Sequence, residues 1–178
     1  MRITVSGLPG SGTTSLARYL ADILGTDLIS AGEVFRQMAQ EHGMELAEFG
    51  RLAESDPSFD RQIDERQKEI ALAHDTIVVE GRLSGWFVPE ADLKIWLYAS
   101  PECRVTRIQT RDIIQNPGAA AQLTRERESC EAVRYKSYYG IDIGDMSPYH
   151  IVLNSERFLV EELGTIVCSA IGIIRHRS

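Results

Sequence analysis

Residues 7–14 read GLPGSGTT and follow the short β-branched segment RITVS. The common nucleotide-binding loop has the pattern G-x-x-x-x-G-K-[ST], in which Gly7, Gly12 and Thr14 fill the first, sixth and eighth places. Thr13 stands where the pattern has lysine. After the loop, apolar residues recur at helical spacing in TTSLARYLADIL. This stretch therefore predicts a strand, a glycine-rich loop and a helix in succession.

A glycine-rich loop between a buried strand and a helix lets backbone N–H groups point inward around an anion, and the helix N-terminus adds partial positive charge. The hydroxyl of Thr14 occupies the place that such loops use to hold magnesium. The alternative is a glycine-rich connection that binds nothing, but the strand, the helix and the N-terminal position together favour phosphate binding. The predicted phosphate-binding and cofactor-binding residues are Gly7, Leu8, Pro9, Gly10, Ser11, Gly12, Thr13, Thr14 and Ser15.

The composition is that of an ordinary globular protein, with 178 residues of which 43% are hydrophobic and 25% charged. A chain of this length buries about 70% of the surface that its unfolded form exposes, which predicts a single core. The formal net charge of −7 argues against a protein that coats nucleic acid, because such proteins present a basic face. Of the 19 basic residues only three are lysines, and arginine suits an anionic substrate, although some genomes favour arginine for unrelated reasons.

Three cysteines, Cys103, Cys130 and Cys168, are widely spaced and form no C-x-x-C pair. They predict reduced thiols and neither a disulfide framework nor a zinc site. No apolar run approaches the ~20 residues of a membrane span, and Met1 leads directly into RITVSG without a signal peptide. We therefore expect a cytoplasmic monomer that acts on small molecules, without a membrane or nucleic acid as partner.

Strands alternate with helices along the chain, which predicts a parallel sheet covered by helices on both faces. We expect a three-layer α/β fold of the P-loop type, with ligands at the carboxyl ends of the strands. No linker divides residues 1–178, so the helical inserts at 31–74 and 116–140 are interpreted as an acceptor-binding flap and a lid on one domain. The five predicted strands are residues 2–6, 27–30, 76–81, 92–99 and 149–154. Predicted helices begin at Thr13, Ala31, Asp56–Pro57 and Pro101. A further helix follows a break at NPG (116–118), and a last helix that begins at Glu156 closes the chain.

The segment SAGEVFR follows the second predicted strand and places Ser30 and Gly32 at its carboxyl end, with Arg36 one helical turn further on. In this arrangement the chain resembles the nucleoside monophosphate kinases, and in particular the short, archaeal type of cytidylate kinase. The segments that carry the resemblance are SGLPGSGTT, LISAGEVFR, DRQIDERQ, VVEGRLSGW and VRYKSYYGID, which span residues 5–142. Some members of that family also carry threonine in the lysine place, so Thr13 agrees with the resemblance.

The resemblance implies transfer of a phosphoryl group from ATP to CMP or dCMP, which gives ADP and CDP or dCDP, with Mg²⁺ as cofactor. It also implies that Arg36, Arg66 and Arg82 surround the acceptor nucleotide. Arg36 and Arg66 lie on polar helices, where a solvent-exposed arginine or an i,i+4 pair is an equally good interpretation. Arg82 follows Gly81 at the carboxyl end of a buried strand, where a surface role is less expected.

The residues that read the base are less well defined by the sequence. Bacterial relatives carry G-R-D where this chain has Gly81, Arg82 and Leu83, so the aspartate that helps to read cytosine is missing. The amino group of cytosine is best met by a carboxylate or carbonyl acceptor. Asp60 and Asp64, four residues apart on one helix face, are the candidates, and a solvated acidic face is the alternative. A preference for cytosine therefore rests on the family resemblance.

In RERESCEAVR, Arg127, Glu131 and Arg134 fall at i, i+4 and i+7 and form one stripe of a helix. The stripe resembles the lid helix of cytidylate kinases, and the alternative is an ordinary ion-paired surface. Because transfer between two anions requires exclusion of water and neutralisation of charge, we expect Arg127, Arg134 and Arg82 to be the catalytic residues. The lid arginines and Mg²⁺ would then supply the charge that Thr13 lacks. No general base is required, since the acceptor phosphate is already ionised.

After the fifth strand, Asn154 lies where kinases of this fold hold the adenine of ATP, although it also fits a simple turn. Within the same chemistry, an adenylate or uridylate kinase is the alternative. A different class is a nucleotide-binding regulator whose loop binds without transferring phosphate. Such a regulator would not need arginines of both flaps to face a common cleft. The arginines concerned are Arg36, Arg82, Arg127 and Arg134.

Overall fold

Parallel strands form the central sheet of the computed structural model, which describes residues 1–45, 48–49, 52–53, 56 and 58–176. The strands are β1 (Arg2–Gly7), β2 (Asp27–Ser30), β3 (Ile77–Glu80), β4 (Leu93–Tyr98) and β5 (Ile151–Asn154). They lie in the order β2-β3-β1-β4-β5. The register sets Ser30 and Val5 level with Glu80, so the carboxyl ends of the first three strands meet at one edge. The predicted five-stranded parallel sheet is confirmed.

Helices connect the strands and begin where the sequence supplies a cap. α1 (Thr13–Leu24) lies between two glycines with left-handed backbone, Gly12 at its start and Gly25 at its end. Ser30 caps α2 (Ala31–Glu41) in a reciprocal arrangement, since its hydroxyl accepts from the Glu33 N–H and the Glu33 carboxylate accepts from the Ser30 N–H. The other described helices are α3 (Ser58–Ala73), α4 (Ser84–Phe87), α5 (Pro101–Arg111), α6 (Pro117–Tyr139) and α7 (Val160–Arg175).

Two apolar clusters join the sheet to the helices on its two faces. On one face, Ile3 and Val5 of β1 pack with Leu16 of α1 and Val167 of α7. On the other face, Val79 of β3 packs in a cluster with side chains of α2 and α3. Each large apolar side chain buried in this way contributes ~1.5–3 kcal/mol. The three-layer α/β architecture predicted from the sequence is confirmed, and the carboxyl edge of the sheet is left to polar loops.

As predicted, a break separates α5 from α6, but it covers residues 112–116, and α6 already begins at Pro117 of the NPG segment. The side-chain oxygen of Asn116 accepts from the N–H groups of Gly118 and Ala119, and Pro117 occupies the first helical position. Proline suits that position because its missing N–H would have no partner within the helix. Helix α6 therefore runs without interruption from a well-formed cap to Gly140, which ends it with left-handed backbone.

Other boundaries also differ from the sequence-based expectation. The last helix begins at Val160 instead of Glu156. The one-turn helix α4 was not predicted, because four residues are too few to show a period. Asp56 accepts from the Ser58 N–H at 2.8 Å, as expected of a cap, whereas Pro57 lies outside the described residues. Among the helices that the structure describes, none combines the length and the apolar character that a bilayer crossing demands.

Candidate active site

The glycine loop connects the carboxyl end of β1 to the start of α1. Gly10 and Gly12 have φ values of 82° and 92°, which residues with a side chain rarely adopt. A methyl group on Gly10 would also lie 2.7 Å from the backbone oxygen of Arg104, so helix α5 packs directly against the loop. This positive-φ backbone is of the kind that turns successive N–H groups toward an anion.

The threonine in the lysine place is buried. Thr13 Oγ1 donates to Glu80 Oε1 at 2.7 Å, which ties the loop to the neighbouring strand β3. Thr14 is exposed, and its Oγ1 lies 3.5 Å from the same carboxylate oxygen. Glu80 is the last residue of β3 and is itself buried. A carboxylate therefore stands beside both threonines at the mouth of the loop.

Glu80 was not identified from the sequence. The available signal was its position, because it ends the otherwise apolar strand IVVE and directly precedes Gly81 and Arg82. A carboxylate is costly to bury without partners, so an acidic residue at that point indicates a ligand or a hydrogen-bonded role.

Three arginines donate to the carbonyl groups of the loop. Arg82 Nη1 donates to Gly7 O at 3.3 Å, Arg104 Nη1 to Pro9 O at 3.5 Å, and Arg107 Nη1 to Gly10 O at 3.4 Å. Each contact is long and individually weak. Because the peptide unit is planar, a carbonyl group directed at an arginine turns the N–H on the same unit the opposite way. The arginines therefore favour a loop whose N–H groups are available to a ligand.

Asn154 is engaged in a turn at the end of β5. Its Oδ1 accepts from the Glu156 N–H at 2.9 Å. The next residue, Ser155, is held by Arg107, whose Nη1 donates to its hydroxyl at 2.8 Å and whose Nη2 donates to its carbonyl at 2.7 Å. The turn interpretation of Asn154 thus agrees with the structure, and an adenine contact would require its side chain to leave this turn.

Glu131 is the central carboxylate of helix α6. It is only 6% exposed, and its Oε2 accepts from Arg82 Nε at 3.1 Å while its Oε1 accepts from Arg127 Nε at 2.9 Å. One turn further along, Arg134 Nε lies 2.8 Å from Asp60 Oδ2 on α3. The Arg127 contact is the i,i+4 surface pair considered above, but Arg82 is 49 residues away in sequence. Glu131 therefore joins two of the predicted catalytic arginines, Arg82 and Arg127, and Asp60 pairs with the third, Arg134, on the same helix as Arg127.

Asp60 and Asp64 face this same helix, so they do not form a solvated acidic surface. Tyr139 OH donates to Asp64 Oδ2 at 2.7 Å. Burial, reinforced by the Asp60 and Glu65 carboxylates, raises the pKa of Asp64 to about 7 against the opposing effects of Tyr139 and Arg134. Burial also raises the pKa of Asp60, and the Arg134 guanidinium partly offsets that rise.

Ser30, Gly32 and Arg36 lie at the edge of the sheet that carries Glu80. Ser30 is level with Glu80 in the β2–β3 register. A methyl group on Gly32 would lie 3.7 Å from Arg36 Nη1, so the guanidinium lies over the first turn of α2. Within the part of the chain that the structure describes, no carboxylate forms an ion pair with Arg36.

Arg66 is placed differently from the other predicted acceptor residues. Its Nη1 and Nη2 donate to the two carboxylate oxygens of Glu41 at 2.8 and 2.7 Å. The pair joins α3 to α2, and the two side chains are 38% and 53% exposed. Helix α3 thus presents Asp60 and Asp64 to α6 but Arg66 to α2. The expectation that Arg66 surrounds the acceptor together with Arg36 and Arg82 is not supported by these contacts.

The chain is similar to known proteins over nearly all of its length. The model of the cytidylate kinase-like family matches residues 2–157. A protein from Methanoregula boonei named cytidylate kinase is 64% identical over 175 residues, which cover 98% of this chain and 96% of that protein. A cytidylate kinase from Methanospirillum hungatei is also 64% identical, over 98% of each chain. A shikimate kinase structure from Bacteroides thetaiotaomicron is 14% identical with a TM-score of 0.66, covering 97% of this chain and 98% of that one, and this likeness concerns the fold alone.

Proposed function

The chain belongs to the cytidylate kinase-like family, and on that premise we propose that it transfers the γ-phosphoryl group of ATP to CMP or dCMP, giving ADP and CDP or dCDP. The observation that carries the proposal is that Arg82, which donates to Gly7 O of the loop, shares the Glu131 carboxylate with Arg127, while Arg134 lies one turn further along the same helix. A regulator that only binds nucleotide would need the loop but not these arginines. Adenylate and uridylate kinase are not favoured, because relatives at 47–64% identity are named cytidylate kinase.

ATP is the phosphoryl donor, and we assign its phosphates to the loop formed by residues 7–15. Thr14 and Glu80 fit a magnesium ion, since an exposed hydroxyl lies 3.5 Å from a buried carboxylate there. Mg²⁺ usually takes one or two carboxylates together with substrate phosphates and water, so it needs no all-protein cage. The described residues contain no cluster of three or more His, Cys, Asp or Glu side chains that could hold a metal. When bound, Mg²⁺ neutralises charge on the donor phosphates.

The acceptor phosphate is assigned to Arg36 and Arg82, with Ser30 and Gly32 forming the adjacent floor. Arg66 would reach it only by leaving Glu41. In this proposal Arg82 and the lid arginines Arg127 and Arg134 turn from their carboxylates to the phosphate oxygens as the nucleotides bind. Guanidinium groups held in a water-poor cleft stabilise the spread negative charge of the transferring group. Positioning and charge neutralisation then supply the catalysis, without a general base.

Asp60 and Asp64 are proposed to read the cytosine base. An ionised carboxylate accepts a hydrogen bond from the 4-amino group of cytosine. Uracil carries a carbonyl oxygen in place of this amino group. Two hydrogen-bond acceptors, the uracil oxygen and the carboxylate, would then face each other and repel, so binding of UMP is disfavoured. Both carboxyl groups are half-buried against α6, where water replaces a missing partner poorly. Because the pKa of Asp64 is raised to about 7, this discrimination is expected to be strongest above that pH, where Asp64 is ionised.

Residues 31–74 and 116–140 are proposed to move as the acceptor-binding flap and the lid of one domain, residues 1–178. The described contacts of α6 across the cleft include side-chain pairs such as Glu131 with Arg82 and Tyr139 with Asp64. Polar contacts of this kind separate more readily than an apolar core. We further propose a cytoplasmic monomer, since ATP and CMP are small molecules of that compartment. The net charge of −7 favours a role without nucleic acid.

The test is an assay of ADP release with ATP, Mg²⁺ and, in turn, CMP, dCMP, UMP and AMP. We expect CMP and dCMP to be phosphorylated, with kcat/KM for UMP and AMP lower by about tenfold or more, the scale of one mispaired polar group. Reactions without acceptor, and reactions with EDTA, are the controls. ADP release that does not depend on CMP or dCMP, or a preference for AMP, would overturn the proposal.

A further inference from the structure

Arg104 joins the glycine loop to the lid through a single side chain. It is 4% exposed, although arginine is seldom fully buried. Its Nε donates to Ala99 O at 3.1 Å, which fixes the side chain at the carboxyl end of β4. Its Nη1 lies between Pro9 O of the loop and one carboxylate oxygen of Glu128 on α6, and its Nη2 donates to the other oxygen at 3.3 Å.

The charge of Arg104 depends on the lid for its neutralisation. Glu128 forms the ion pair and belongs to α6, whereas Ala99 and Pro9 contribute only backbone oxygens. A buried guanidinium that loses its carboxylate is costly. Burial lowers the pKa of Arg104, and the nearby Arg82 guanidinium also lowers it, whereas Tyr98 and Glu102 act in the opposite direction. Departure of the lid would therefore leave an unpaired cation directly behind the loop.

Packing joins Arg104 to the loop a second time. Gly10 lies so close to the Arg104 backbone that a methyl group on it would be 2.7 Å from the Arg104 carbonyl oxygen and 3.0 Å from its Cα. The side chain meets Pro9 and the main chain meets Gly10, so any shift of Arg104 is transmitted to two consecutive residues of the loop.

We propose that Arg104 is a positioning residue that couples docking of the lid to the shape of the phosphate-binding loop. With Glu128 docked, the guanidinium is held against Pro9 O and the loop keeps its anion-binding conformation. With Glu128 removed, the loop loses this support and binds nucleotide phosphates more weakly. Glu128 thus influences the donor nucleotide through Arg104. The inference rests on the proposed use of ATP as donor.

The experiment uses Glu128→Gln, Arg104→Lys and the double variant, with Glu126→Gln as matched control. Glu126 lies on the same helix, is exposed, and accepts from Gln122. ADP affinity in the presence of Mg²⁺ is measured by titration calorimetry, and KM for ATP and for CMP by steady-state kinetics. We expect each single change to weaken ADP binding and raise KM for ATP about tenfold, as loss of a charged hydrogen bond does, with KM for CMP changing less than about threefold. In the double variant, ADP affinity and KM for ATP should be impaired no more than in the more severe of the two single variants.

A general loss of lid structure would raise both KM values together, and additive effects of the two changes would show that the residues act independently. Either result overturns the inference, as does an ADP affinity of Glu128→Gln within about twofold of Glu126→Gln. Glu128→Gln keeps the shape of its side chain and decides the matter even if Arg104→Lys does not fold. The ADP titration requires no acceptor, so it tests the coupling separately from CMP phosphorylation, whose absence in the unmodified protein would instead overturn the proposed function.

Discussion

Thr13 brings a hydroxyl, and no charge, to the place where the loop pattern has lysine. Its hydrogen bond with the Glu80 carboxylate attaches the loop to β3, an attachment whose net contribution is ~1.5–3 kcal/mol when one partner is charged. Positive charge near the loop comes instead from arginines on other elements, which donate to the loop carbonyls. They are Arg82, Arg104 and Arg107. Several guanidinium groups thus lie around the loop where the common pattern has one lysine.

We expect Thr13→Lys to change kcat/KM for ATP by less than about tenfold, because in the proposed mechanism the lid arginines already neutralise the transferring phosphoryl group. Arg127→Ala and Arg134→Ala should each lower it by roughly 10²-fold, the scale of losing one donor to the transition state. Steady-state kinetics at saturating CMP measure all three. In Thr13→Lys combined with Arg127→Ala, lysine should partly restore the loss. Strict additivity, or a hundredfold gain from Thr13→Lys alone, would contradict this account.

The loop was predictable because its residues are consecutive and each has a local reason to be there. The arginines behind it were not, since Arg82 and Gly7 are 75 residues apart and Arg107 and Gly10 are 97 apart. Such contacts depend on the order of the strands in the sheet. Glu80 gave a local signal, an acid at the end of an apolar strand, but its partner Thr13 became evident only in three dimensions.

At the scale of elements, α3 separates two groups of charged residues. Asp60 and Asp64 face α6, whereas Arg66 faces α2 and pairs with Glu41. The sequence placed all of them on one polar helix but could not say which neighbour each side would meet. For α6 the sequence did better, because Arg127, Glu131 and Arg134 form a stripe at helical spacing. Caps such as Ser30 and Gly25 were also predictable, since their partners lie within a few residues.

Two of the three predicted acceptor arginines, Arg82 and Arg66, therefore differ in expected effect. Arg82→Ala should cost at least ~2 kcal/mol in kcat/KM for CMP, because Arg82 is half-buried at the carboxyl end of β3 and loses charged hydrogen bonds there. Arg66→Ala removes an exposed pair with Glu41, and exposed pairs contribute little, so we expect a change of less than about threefold. Steady-state kinetics with CMP as the varied substrate compare the two. Equal losses would place Arg66 at the acceptor after all.

At the scale of the whole molecule, the carboxyl edge of the sheet collects acids and arginines from most of the chain. The edge holds Glu80 of β3, Arg36 of α2, Asp60 and Asp64 of α3, and Arg127, Glu131 and Arg134 of α6. Glu80 and Glu131 are buried and Asp60 and Asp64 are partly buried, which links the stability of the fold to pH. Asp64 is the clearest case, because its folded-state pKa is about 7 and its ordinary value is about 3.9.

With a raised pKa, folded Asp64 keeps a proton that the unfolded chain releases, so stability falls as pH rises from about 4 to about 7. Asp64→Asn removes this dependence while keeping an acceptor for Tyr139. We compare the unfolding free energy of Asp64→Asn with that of the unmodified protein. The difference, variant minus unmodified protein, should therefore be larger at pH 8 than at pH 5 by roughly 2 kcal/mol. Urea unfolding at both pH values measures it, with Glu69→Gln, an exposed acid of the same helix, as control. A difference that does not change with pH would show that Asp64 titrates normally.

In the proposed mechanism, Glu131 also affects how fast the products leave the site. Two guanidinium groups that lost their phosphates in a water-poor cleft would hold a departing anion back, because separating the charges is costly there. Glu131 already contacts both Arg82 and Arg127, so its carboxylate can replace the product oxygens as they withdraw. Dissociation then becomes a substitution of one anion by another, with a lower barrier than simple escape. In kinases whose turnover is limited by product release, such an internal competitor lowers the affinity for the product and raises the turnover rate.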